Sequence, residues 1–212
     1  MIPIGDDNRA RRRAPVVVIA LILLNAAVFI YELSLQRQGS DVLGHFIYSW
    51  GAVPIELLHL RDYPPTIPLP IWVTGLTSMF IHGGWLHLLG NMLFLWVFGD
   101  NVEDNMGHAR FAVFYLLSGI GAVALQMLID PSSAQPMIGA SGAISAVIAV
   151  FALIFSRSQA PAIGPIPSHW VRALWLAAAW VGVQLLIGFA GGGGFGAIAI
   201  WAHVGGFVAG LL

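Results

Sequence analysis

The chain has 212 residues, of which 58% are hydrophobic and 9% charged, with a formal net charge of −1 and a mean hydropathy of +0.83. So little charge does not cover a water-soluble surface of this size, and a lipid bilayer is the natural solvent for the sequence. The charge balance excludes the basic field of a nucleic-acid-binding protein, and the absence of cysteine excludes disulfides, thiolate metal sites and thiol nucleophiles.

In chain order, residues 1–13 read as a polar N-terminal tail, and residues 14–212 as one all-α, polytopic membrane core. Six apolar segments are predicted to span the membrane: 14–34, 78–99, 109–129, 137–156, 169–190 and 196–212. Each is near the ~20 residues that cross ~30 Å of hydrocarbon. Arginines followed by an apolar run also suit a signal peptide, but the run reaches Tyr31 and is too long for an ordinary signal core, so it reads as a retained helix. The sixth segment runs into Leu212, which leaves open a cytoplasmic tail beyond it.

Every basic residue is an arginine. With the N terminus inside, Arg9, Arg11, Arg12, Arg13, Arg110, Arg157 and Arg172 lie on the cytoplasmic side, and Arg37 and Arg61 lie outside. This asymmetry orients the chain by the positive-inside rule. The chain is expected to be a multi-pass protein with a cytoplasmic N terminus; its short, targeting-free N terminus fits the inner (cell) membrane of a bacterium, with an organelle membrane as the alternative. External loops are then 35–77, 130–136 and 191–195. The first is long and proline-bearing (Pro64, Pro65, Pro68, Pro70), with short interfacial helices expected near Trp50 and Ile55 to Leu58. The stretch Gly191 to Gly194 reads as a flexible connection.

The spans are read as free of Asp and Glu, which argues against ion-coupled transport and against aspartyl intramembrane proteolysis. Polar side chains that do fall in or at the mouths of the spans are His82, His87, Asn91, Ser141, Ser145 and His203. Spans two, four and six all start on the outer side. At ~1.5 Å per helical residue, His87, Asn91, Ser141 and His203 therefore share one depth. Singly, each also has a structural reading: Ser141 as a helix N-cap, His203 as a packing histidine, His87 and Asn91 as interhelical hydrogen bonders. Together they describe chemistry. Ser141 lies in Gly139-Ala140-Ser141-Gly142, whose small residues admit a substrate backbone at a helix start with unpaired N–H groups. A serine hydroxyl becomes a nucleophile when a base takes its proton, and His203 is the candidate base. Gly206 and Gly210 share the helix face of His203 and allow span six to press on span four near Gly142. His87 and Asn91 can donate to the oxyanion of a tetrahedral intermediate.

Those motifs resemble the rhomboid family of intramembrane serine proteases. Gly139-Ala140-Ser141-Gly142 is similar to its nucleophile motif, and Ala202-His203 with Gly206 and Gly210 to its histidine helix. His82, His87 and Asn91 match a second-helix signature, and Gly99, Glu103 and Gly107, placed in the following cytoplasmic loop, match a further pattern. The resemblance covers about residues 14–212 and implies a six-helix bundle. It also implies a Ser141–His203 dyad that cleaves transmembrane segments of membrane proteins within the bilayer. His87, Asn91 and the Ser141 N–H would hold the oxyanion, His82 would support the start of the helix, and Gly139, Gly142, Gly206 and Gly210 would shape the site. No cofactor, metal or nucleic acid is expected, only a transmembrane substrate and lipid. Two departures stand out: Ser145 occupies a position where some members carry tyrosine, and the Trp-Arg pair of some first external loops is not present. The alternative class is an inactive rhomboid-like protein that binds membrane clients without cutting them. A zinc protease using His82, His87 and His203 is disfavoured because no His-Glu-x-x-His helix or nearby base accompanies them.

Overall fold

The computed structural model describes residues 13–62, 64, 69–154, 164–165, 171, 174–175, 178–182 and 199–212. The predicted tail except Arg13, most of the fifth span, and the 191–195 loop with its glycines fall outside the described residues, as do Arg157 and Arg172. The described residues form helices α1 (Val16–Gln38), α2 (Ser40–Trp50), α3 (Pro54–His59), α4 (Thr74–Thr77), α5 (Trp85–Met106), α6 (His108–Ile129), α7 (Ser141–Ile154) and α8 (Ile200–Leu211). Extended pairing among them is confined to one isolated antiparallel bridge, Ala52 with Met137.

Among the described residues, α1 and α6 are by themselves long and apolar enough to cross a membrane. A third candidate is the pair Ile71–Phe80 and Trp85–Met106, bent by 83° at the break between them. The shorter apolar helices α7 and α8 pack with α5 and α6. Lipid-facing surfaces follow from composition: α1 exposes Leu23, Leu24 and Ile30, and α6 exposes Val113, Leu117 and Leu128. Apolar side chains that would drive aggregation in water are matched to hydrocarbon here.

The centre belongs to α7. Eleven of its 14 residues are buried, so the helix that begins at Ser141 runs through the interior, enclosed by α5, α6 and α8. Its Ala and Gly positions let neighbours approach to backbone contact, the usual means of helix packing where no hydrophobic force acts between helices. A Cβ built on Gly142 would lie 2.5 Å from Ala122 Cβ of α6, and one on Gly210 would lie 2.5 Å from the Ala146 carbonyl oxygen. The core around α7 contains Val18, Leu95, Val102, Phe111, Tyr115, Ile144 and Val147.

The structure departs from the sequence reading in several places. The second span was expected from residue 78, but Ser78–Phe80 is a 3-10 turn and the long helix begins at Trp85. It then continues to Met106, so Gly99 and Glu103 are helical rather than in a cytoplasmic loop. The break comes at Gly107, whose φ of 82° is a conformation glycine adopts without steric cost. Glu103, fully buried, accepts hydrogen bonds from the Val17 and Val18 N–H groups at 2.9 and 2.8 Å. It thereby satisfies orphan donors in the first turn of α1 and fixes the start of α1 to the end of α5. A further difference is Glu32. It lies within the 14–34 segment, so that span is not free of carboxylates. It is 2% exposed, and its carboxylate accepts the His82 N–H at 3.1 Å. A buried carboxylate in an apolar helix persists because a backbone donor from elsewhere in the fold meets it.

Candidate active site

Four connections position the approach to Ser141. Ala52 and Met137 exchange backbone hydrogen bonds at 3.0 and 2.8 Å, tying the first loop to the segment leading into α7. The Gly139 N–H donates to the Ser78 carbonyl at 2.8 Å, which anchors that segment to the turn before α5. Gly139 has φ 112°, and a Cβ there would meet His87 Nε2 at 2.6 Å and Asn91 Nδ2 at 3.6 Å. Glycine is thus required twice over at this position, by backbone and by space. Helix α7 opens immediately afterwards, with the Ile144 N–H donating to the Ala140 carbonyl at 3.0 Å. Its preceding N–H groups lie at the positive end of the helix.

The structure brings Ser141 and His203 together. Ser141 Oγ and His203 Nε2 are 2.8 Å apart, both residues are 6% exposed, and 62 positions of sequence separate them. With the hydroxyl as donor, Nε2 is the lone-pair nitrogen, the arrangement a general base requires. His203 stands in the first turn of α8, because the helix starts at Ile200 and not at residue 196 where the sixth segment was expected to begin. That start is held by Gln126 of α6, whose Oε1 accepts the Ala202 N–H at 3.2 Å. Gly206, one turn after His203, lies against the backbone of Gly142, and Gly210 against Ala146. These two contacts set the α7–α8 separation and with it the reach of the imidazole.

His87 and Asn91 converge on Gly139 from the adjoining face of α5. The Gly83 N–H donates to His87 Nδ1 at 3.3 Å, so the imidazole proton sits on Nε2, the nitrogen turned toward Gly139. Asn91 is 1% exposed, and among the described residues neither end of its amide has a hydrogen-bond partner. A buried, unpaired amide is costly, and such groups cluster where function demands them. Two donors therefore face the backbone just before Ser141. His82 is separate from this convergence. Its ring donates from Nδ1 to the Phe80 carbonyl at 3.3 Å and lies edge-on to His87 with centroids 5.0 Å apart. Its backbone is the group held by Glu32.

Three neighbours escaped the sequence reading: Glu32, Gln126 and Trp180. Glu32 had a readable signal, a carboxylate inside an apolar run. Gln126 and Trp180 had none, since each acts on residues far away in sequence. The Trp180 indole N–H donates to Ser145 Oγ at 2.7 Å, across 35 positions. Among the described residues, no cluster of three or more His, Asp or Glu side chains has metal-binding geometry.

The fold and the site define an all-helical integral membrane protein with a buried serine–histidine pair at the start of its central helix. The Rhomboid domain family model matches residues 71–212, and the chain belongs to the rhomboid family. It is 30% identical over 170 residues to "Rhomboid protein 1, mitochondrial" of Saccharomyces cerevisiae, covering 77% of this chain and 45% of that protein. It is 28% identical over 150 residues to "Rhomboid-like protein 11, chloroplastic" of Arabidopsis thaliana, covering 71% and 46% respectively. Over a shorter stretch of 73 residues it is 40% identical to "Rhomboid protease GluP" of Bacillus subtilis, covering 34% of this chain and 14% of that protein. The chain spans less than half the length of each of these relatives.

Proposed function

We propose that this protein is an intramembrane serine endopeptidase that cleaves transmembrane segments of membrane proteins. Ser141 is the nucleophile and His203 its general base. The observation that carries the reading is the buried 2.8 Å contact between Ser141 Oγ and His203 Nε2. As Oγ attacks the scissile carbonyl, its proton passes to Nε2. The imidazolium then returns that proton to the leaving amine, and water repeats the sequence to release the acyl group. His87 Nε2–H, the Asn91 amide and the Ser141 N–H serve as oxyanion donors; the turn of His87 and Asn91 toward Gly139 supports this. His82 supports the turn before α5, and Gly139, Gly142, Gly206 and Gly210 provide the close approaches.

The proposed arrangement is the six-span core of residues 14–212, with the first loop outside and the tail of residues 1–13 in the cytoplasm. The arginine asymmetry supports that orientation. The integral-membrane location rests on the family and the apolar helices, and the expected bacterial cell membrane draws no support from the chloroplastic and mitochondrial names among the relatives.

The test is incubation of purified full chain with a single-span reporter substrate, in detergent and in liposomes, beside Ser141→Ala and His203→Ala. Cleavage by the wild type and none by either variant is expected, with thermal stability close to wild type in all three. Undiminished cleavage by either variant ends the dyad assignment.

A further inference from the structure

We propose that Trp180 is the positioning residue for His203, acting in concert with Ser145. The inference rests on the Ser141–His203 reading above and assigns what holds the base in place.

A histidine that serves as base must be kept from rotating away from its serine. In a triad a carboxylate on the far ring nitrogen does this. Among the described residues the His203 ring bonds to Ser141, and an aromatic neighbour adds a restraint on its orientation. The indole of Trp180 stands edge-on to that imidazole, with ring centroids 6.4 Å apart and planes at 67°. This edge-to-face arrangement is one of the geometries that aromatic quadrupoles favour.

The indole is itself held on two sides. Its N–H donates to Ser145 Oγ at 2.7 Å, and the same hydroxyl donates onward to the Ser141 carbonyl at 2.8 Å. Both Ser145 capacities are thereby directed, one receiving the indole and one returning to the residue that carries the nucleophile. On its other flank the ring packs against Phe94 of α5, centroids 4.4 Å apart. Trp180 is 2% exposed and Ser145 is fully buried, so neither bond competes with water. The path Ser141 carbonyl, Ser145 hydroxyl, Trp180 indole, His203 imidazole links the two halves of the dyad by a second route, independent of their direct contact. Ser145 also explains why a small hydroxyl serves at this position. The aromatic mass beside His203 comes from residue 180, and what α7 supplies is the acceptor that fixes it.

The experiment compares full-chain wild type, Trp180→Phe, Ser145→Ala and the double variant in the same detergent. It measures kcat and KM on a single-span reporter, the rate of Ser141 labelling by a fluorophosphonate, and the thermal midpoint. Phenylalanine keeps an aromatic ring but removes the N–H; Ser145→Ala removes the acceptor without altering the ring, and keeps the test sound if Trp180→Phe folds poorly. Each single variant should lower kcat about tenfold with KM unchanged, and slow Ser141 labelling by a similar factor. The double variant should lose no more than either single, because the two residues act as one unit. Unchanged kcat and labelling in both singles overturns the inference, as does a rise in KM alone or a double variant whose losses multiply. Wild type that neither cleaves nor labels, or activity that survives Ser141→Ala, overturns the dyad and this inference together. An active wild type silenced by Ser141→Ala but indifferent to both single changes overturns the role of Trp180 alone.

Discussion

Replacing Gly206 with alanine adds one carbon atom at the point where α8 leans on α7. That carbon would lie 2.7 Å from the Gly142 carbonyl carbon and 3.2 Å from its Cα, where ordinary contact begins at 3.4 Å. Backbone atoms cannot rotate aside as a side chain does, so the helices must part. Relief of the 2.7 Å contact alone needs about 0.7 Å (3.4 less 2.7), and the still closer carbonyl oxygen asks for more. Gly206 is one turn from His203, so the retreat carries the imidazole with it. The 2.8 Å separation from Ser141 then opens to about 3.5 Å, the outer edge of a hydrogen bond. Misplacement of this order lowers kcat by about 10²-fold, and overpacking of this kind costs about 1–3 kcal/mol in stability. Reporter cleavage and thermal unfolding measure the two effects side by side. Gly44→Ala, where an added Cβ meets nothing within 4 Å, is the matched control and should change neither. A Gly206→Ala protein as stable and as active as wild type would refute the claim that this contact sets the distance between base and nucleophile.

Other expectations follow from the same geometry. His87→Ala and Asn91→Ala should each lower turnover by about 10²–10³-fold without abolishing it, since other donors remain; an effect confined to KM contradicts the oxyanion role. Glu103→Ala strips the buried acceptor from the Val17 and Val18 N–H groups and should cost about 1–3 kcal/mol, read as a lower thermal midpoint, while the Ser141–His203 geometry stays intact. Substrate choice should follow helix stability, because a helical carbonyl is engaged in its own i to i−4 bond until the segment unwinds. Replacing a Gly/Pro segment near the external end of a cleaved reporter by leucines should sharply reduce cutting; equal cutting of the all-leucine segment rules out unwinding as a determinant.

Solvent class could be read from the chain by itself, because hydropathy is a property of residues counted along it, and arginine placement adds an orientation as an expectation. The polar groups at the mouths of spans two, four and six were legible for a related reason. A histidine or serine in an apolar run costs enough to need a cause, so its presence is a signal wherever the fold puts it. Glu32 carries that same signal, but its tolerance depends on the His82 N–H fifty positions away, which no local pattern displays. Helix ends were less legible. The start of α5 at Trp85 and its extension to Met106 depend on turns stapled from outside, such as the Ser78 carbonyl bonded to Gly139 and the Glu103 carboxylate bonded to α1. Tertiary structure alone decided the distances. Whether the Ser141 hydroxyl meets the His203 imidazole turns on the contacts of Gly206 and Gly210 with α7. Which aromatic ring stands beside that imidazole turns on a bond between Trp180 and Ser145. Each of these joins residues on different helices, and no local pattern encodes a separation that only the packed bundle sets.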